Sequence, residues 1–254
     1  MGKYFSVTKK IEVAASKQNA AKFQQGEVIA DWQPIQIPKG SCILRSLTMM
    51  VRPKGDSAPT PNRFPYDIVF SKTNTVSLGT VGGDVAHRPS NDFLGLVEID
   101  ANQWGTSAWT STAIATLGTD TSASTLPLVL TGDPTSGDNV GFDTIYVGIV
   151  SRDDDVDFIS INAIAEAGTA GAASTKVITM DGASMDVQEH FAVGDVVHIG
   201  TSVGTPAADS LIGTIASVDD STTITLESTS ATDLVDGDIL YNIHPITLVL
   251  GLEK

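Results

Sequence analysis

Cysteine is almost absent. Cys42 is the one thiol in 254 residues, so the chain cannot close a disulfide on itself and must draw its stability from packing or association. Aromatic residues make up 6% of the chain, and bases are scarce: 15 Lys and Arg stand against 30 Asp and Glu. The net charge of −15 opposes binding to nucleic-acid phosphates. No apolar run approaches the roughly 18 residues that a membrane-spanning helix needs. Met1-Gly2-Lys3-Tyr4-Phe5 lacks the apolar segment of a secretory signal. The expectation is a soluble chain with neither a nucleic-acid nor a membrane partner.

What is abundant is the vocabulary of strands and turns. Hydrophobic residues are 41% of the chain, mostly Val, Ile, Leu and Ala, set among Thr, Ser, Gly and Asp. Charge is polarised along the chain. Residues 1–88 carry 12 Lys and Arg with 6 Asp and Glu, whereas residues 89–254 carry 3 and 24. Two readings follow: the two parts attract each other within the fold or between subunits, or the basic part docks on an acidic partner.

Residues 1–26 show little periodicity and read as an extended arm. Strand signals begin at Glu27. Val28, Trp32, Ile35 and Ile37 lead to the turn Pro38-Lys39-Gly40, and an apolar strand runs from Cys42 to Val51. Tyr66, Ile68 and Phe70 alternate, and further strands are expected at 94–99, 126–130, 144–150 and 157–164. A small-residue linker, Gly168-Thr169-Ala170-Gly171-Ala172-Ala173-Ser174, then introduces several short strands. Two of them, at 212–218 and 222–227, flank Asp219-Asp220-Ser221 as a hairpin. Ile246, Leu248, Leu250 and Leu252 alternate at the end of the chain. The expected fold is all-β. Residues 27–165 plus 243–254 form a jelly-roll-like β-sandwich, and residues 166–242 form a small SH3-like or OB-like β-barrel inserted before its last strand. That insert holds 12 acids and a single base, Lys176.

No set of residues announces catalysis. Asp84-Val85-Ala86-His87 and Ser57 have lipase-like spacing, but no helix signal surrounds Ser57 and the order along the chain is wrong. His198 reads as a strand residue. His190, near Asp186 and Glu189, is weak evidence for a metal site. The run Asp153-Asp154-Asp155-Val156-Asp157 lacks EF-hand spacing and reads as a solvated hairpin turn. Trp32, Trp104 and Trp109 are candidates for a sugar-stacking face, with Trp104 and Trp109 the pair of loop character. No enzyme activity, cofactor or metal is expected.

The segment Ala30-Asp31-Trp32-Gln33-Pro34-Ile35-Gln36-Ile37-Pro38-Lys39-Gly40 precedes a long apolar strand. Phe70-Ser71-Lys72, Ser77-Leu78-Gly79 and Pro245-Ile246-Thr247-Leu248 follow. Over residues 27–80 and the last ten or so, this pattern resembles virion structural proteins of tailed bacteriophages, most of all capsid decoration proteins of marine phages. The resemblance implies a homotrimer on the outer capsid surface, in contact with the major capsid protein, and carries over no catalytic residue. Lys3, Lys9, Lys10, Lys17 and Lys22 are then the capsid-contact candidates, with the acidic barrel facing outward. A tail, collar or baseplate component is the alternative within that class. A carbohydrate-binding module for host-surface attachment is the alternative outside it.

Overall fold

A computed structural model describes residues 2–18, 22–53, 60–86, 92–105, 111–119, 125–134, 141–158, 176–180, 187–202, 205–230 and 238–254. The described strands are β1 (Tyr4–Ile11), β2 (Val28–Pro38), β3 (Cys42–Val51), β4 (Tyr66–Ser71), β5 (Phe93–Ile99), β6 (Ala113–Gly118), β7 (Leu128–Leu130) and β8 (Asp133–Pro134). They continue as β9 (Phe142–Ser151), β10 (Val177–Thr179), β11 (Val196–Ser202), β12 (Thr205–Val218), β13 (Thr223–Leu226), β14 (Ile239–Asn242) and β15 (Ile246–Glu253). One short helix, α1 (Val187–His190), lies before β11.

The strands build three antiparallel sheets. The first runs β1-β15-β3-β6, with β7 taking up the other half of β3. The second runs β2-β9-β4-β5, with β8 beside β9. The third runs β10-β13-β12-β11-β14. The chain is thus nearly all β, as its composition implies.

Period-two alternation drives the first two sheets together. Along β15, Ile246, Leu248, Leu250 and Leu252 are buried while their neighbours stay half-exposed. They face Ile35, Ile37, Tyr66, Ile68, Phe70, Ile145, Val147 and Ile149 of the second sheet across one continuous core. Burying each large apolar side chain contributes about 1.5–3 kcal/mol. In β3 the buried set changes phase, from Cys42 and Leu44 to Leu47, Met49 and Val51. The register explains the change. Gly251 pairs with Ser46 but Leu252 pairs with Leu44, which leaves Arg45 as a bulge. Arg45 then turns to Glu253, at 2.6 Å. The apolar strand expected from Cys42 to Val51 therefore alternates around one bulge. Burial also raises the Cys42 thiol pKa, which leaves it an inert core group.

The expected arm is different in the structure. Residues 4–11 form β1, paired along their whole length with β15, and Lys3 and Lys254 exchange two further backbone bonds of 2.9 Å. Only Ile11 of β1 is fully buried, so apolar periodicity is too thin to mark the strand.

The third sheet has a core of its own. Ile178, Met180, Val187, Phe191, Val197, Ile199, Ile212, Ile215, Ile224, Leu226 and Leu240 pack together. Among the described residues its strand path runs from β10 to β14, in the region where a small SH3-like or OB-like barrel was expected. The β12–β13 hairpin forms as the sequence indicates. Asp219 accepts hydrogen bonds from Ser217 Oγ and Thr225 Oγ1, both at 2.6 Å, and Asp220 accepts from the Thr222 backbone N–H at 2.7 Å. These bonds hold both carboxyl pKa values below their ordinary value.

Candidate functional site

Two places gather polar groups: an open cleft on the sandwich, and the junction between the sandwich and the third sheet. The cleft has a volume of about 340 Å³. Lys9, Glu12 and Ala14 line it from β1 and the chain just beyond. Ile29, Ala30, Asp31, Trp32, Gln33 and Pro34 line it from β2, and Val81 from the loop over the second sheet.

The backbone of β2 explains how so many consecutive residues reach one cleft. Its register with β9 slips twice, between Val28 and Ala30 and again between Ala30 and Gln33. Bulges break strict alternation and re-aim neighbouring side chains. Each of the next three residues is then fixed by a different partner. Asp31 accepts from Ser77 Oγ at 2.7 Å and from the Leu78 N–H at 2.8 Å. Trp32 donates its Nε1–H to Val76 O at 2.9 Å. Gln33 accepts from the Glu12 N–H at 3.0 Å and donates to Glu12 O at 2.8 Å. Gly148 of β9 leaves room for this arrangement, because a Cβ there would lie 2.8 Å from Leu78 and 3.3 Å from the Trp32 ring. Partial burial lowers the Lys9 pKa, and the Glu12 carboxylate opposes that shift.

The junction centres on Asp195, whose carboxylate is buried. Lys10 Nζ of β1 donates to Asp195 Oδ1 at 2.6 Å and to Val193 O at 2.9 Å. Asn242 Nδ2 and the Ala192 N–H donate to Asp195 Oδ2 at 2.7 and 2.8 Å. Arg52 Nη2 stands 3.7 Å from the same oxygen. Two cations of the sandwich thus meet one buried anion of the third sheet. Around them the Val13 N–H donates to Ile243 O at 2.8 Å, and buried Gln18 donates to Val13 O and Asn242 O, each at 2.8 Å. Ala15 packs with Ile239, Tyr241 and Ile243, so β14 is covered on both faces. His244 Nδ1 accepts the Val196 N–H at 3.3 Å, and burial lowers the His244 pKa, with the Asp195 charge opposing.

The sequence candidates scatter over the molecule. Lys10 is held at the junction. Lys22 pairs with Asp155 at 2.8 Å. Lys17 lies across the Gly82 turn, where a Cβ would sit 3.3 Å from its Nζ. Lys9 lies in the cleft, and Lys3 is exposed at the start of the β1–β15 ladder. Trp104 is 4% exposed, donates to Phe64 O at 3.0 Å and meets the Tyr66 ring edge-on. It plugs the core and presents no stacking face, which corrects its assignment to a glycan site. Trp109, Ser57 and His87 lie outside the described residues, as do 159–164 of the expected strand at 157–164.

The acidic run after β9 is no free hairpin turn. Asp154 accepts the Gln25 N–H at 3.0 Å and its backbone carbonyl accepts from Gln24 Nε2 at 2.8 Å, while Val156 bridges to Phe23. It fastens the chain leading into β2. Among the described residues, no group of three or more His, Cys, Asp and Glu is placed to hold a metal ion.

Compared with known proteins, no family model matches the chain and no curated protein matches it. Among solved structures, a viral major capsid protein, "Crystal Structure of the STIV MCP", aligns with 99% of this chain and 96% of its own at 11% identity, with a TM-score of 0.17. A superposition that loose carries no argument about fold or function.

Proposed function

We propose that the chain is a non-enzymatic structural protein of a tailed-phage virion that decorates the capsid surface. The single observation that carries this reading is the outer edge of β1. Among the described residues this strand is hydrogen-bonded on one side only, to β15. Its start exposes Tyr4 (74%) and Phe5 (37%) next to Lys3. An open strand edge carrying aromatic side chains is a template for another chain, and aromatic residues are enriched at protein interfaces. The pattern resemblance over residues 27–80 supplies the class of assembly, and the all-β sandwich is consistent with it.

In this reading the β1 edge meets the major capsid protein, and three copies gather where capsomers meet. Modest contacts repeated by symmetry then add up to tight attachment. Lys10 is engaged at the junction and Lys22 with Asp155 on the surface, so in this reading capsid contact falls first to Lys3, Tyr4 and Phe5. The acidic third sheet, which meets only the far end of β1 through Lys10, would keep particles apart by repulsion.

The test is binding to undecorated heads of the combined variant Lys3→Glu, Tyr4→Ser, Phe5→Ser. The proposal expects lost head occupancy with unchanged thermal stability. Full occupancy by the variant contradicts it, and wild-type protein found only on tails moves the assignment to a tail, collar or baseplate part.

A further inference from the structure

We propose that the cleft over the β2 edge is a binding site for a neutral saccharide. The argument starts from charge. Glu12 and Asp31 disfavour an anion in the cleft, and the Lys9 ammonium offsets part of their pull on a cation. The walls thus present both signs and suit a ligand that donates and accepts hydrogen bonds. A purely apolar ligand would strip water from three charged groups without compensating them. What remains is an uncharged ligand rich in hydroxyl groups, with one apolar face to set against an aromatic ring.

The walls match that ligand. The Trp32 N–H is spent on Val76 O and the indole packs beside Gly148 and Leu78, so what Trp32 adds to the cleft lining is apolar aromatic surface. Aromatic rings hold large apolar contact area at little conformational cost. Asp31 and Gln33 are fixed by the bonds already described, yet each keeps hydrogen-bonding capacity: carboxylate lone pairs on Asp31 and a second N–H on Gln33. Lys9 adds donors and Glu12 adds acceptors at the rim. Three consecutive residues, Asp31 and Trp32 pinned to residues 76–78 and Gln33 to Glu12, and re-aimed by two bulges, make a preorganised wall. The volume of about 340 Å³ falls within the range of small-ligand sites.

The site takes Lys9 from β1 but none of Lys3, Tyr4 and Phe5, so its fate does not decide the virion reading. The experiment screens the intact protein on a glycan array of neutral hexose, N-acetylhexosamine and sialylated oligosaccharides, followed by titration of the best probe. The variants are Trp32→Phe, Lys9→Met and Glu12→Gln, with Tyr4→Ala as a control away from the cleft. The proposal expects binding of neutral glycans, weakened at least about fivefold by Glu12→Gln or Lys9→Met and less by Trp32→Phe. Tyr4→Ala leaves it unchanged. Circular dichroism confirms that each variant is folded. Preference for sialylated probes, no binding to any neutral glycan, or equal binding by the folded cleft variants overturns the proposal.

Discussion

The sandwich and the third sheet solve the same problem with different means. The sandwich encloses one core between two sheets, and its strands advertise this by alternation, as in β15. The third sheet and the α1 segment enclose a smaller core, and the last strand, β14, is buried on both faces because the sandwich packs against it. A unit that leans on its neighbour needs a specific attachment, and here that attachment is electrostatic. The basic N-terminal half supplies Lys10 and Arg52, and the acidic half supplies Asp195. Of the two readings of the charge gradient, attraction within the fold therefore has a physical address.

The comparison predicts one cooperative unfolding transition for two cores. Leu248→Ala in the sandwich and Ile224→Ala in the third sheet should each lower the same melting transition, by about 2–5 kcal/mol. Calorimetry that shows Ile224→Ala melting a separate early transition would break the coupling. A smaller effect is expected from acid. The His244 pKa is lowered in the folded state, so the unfolded chain takes up the proton first. The neutral imidazole therefore contributes stability above about pH 6.5, lost as pH falls through its lower folded value. Protonation also removes the Nδ1 acceptor from the Val196 N–H. Denaturant midpoints of wild type should fall between pH 7 and pH 5, and His244→Asn should flatten that slope. The smallest effect belongs to the exposed Lys22–Asp155 pair. Lys22→Ala should leave the melting temperature within experimental scatter at physiological salt, because water and ions screen such pairs.

These expectations also mark what the sequence reveals and what it hides. Alternation at Tyr66, Ile68 and Phe70, the apolar run at 246–252 and the Asp219-Asp220-Ser221 hairpin are local signals, and each is where the residues place it. β1 is hidden because its stability comes from β15, some 249 residues away in the Tyr4–Glu253 contact, while most of its own side chains are exposed. The junction is hidden for the same reason: positions 10, 52, 195 and 242 share no spacing, and only the folded chain brings them together. Trp32 is visible as an aromatic that suits a sugar, but the bulges that set Asp31 and Gln33 beside it leave no mark in composition. Trp104 shows the converse, a loop-like indole drawn into the core by the Phe64 carbonyl.

The central claim is that the basic and acidic parts of the chain are joined within the fold through Lys10 and Asp195. A double-mutant cycle of Lys10→Met and Asp195→Asn, followed by chemical denaturation, measures that directly. The account predicts a coupling above about 1 kcal/mol, because each single variant strands a partner at the junction. Additive losses, with a coupling indistinguishable from zero, would contradict it.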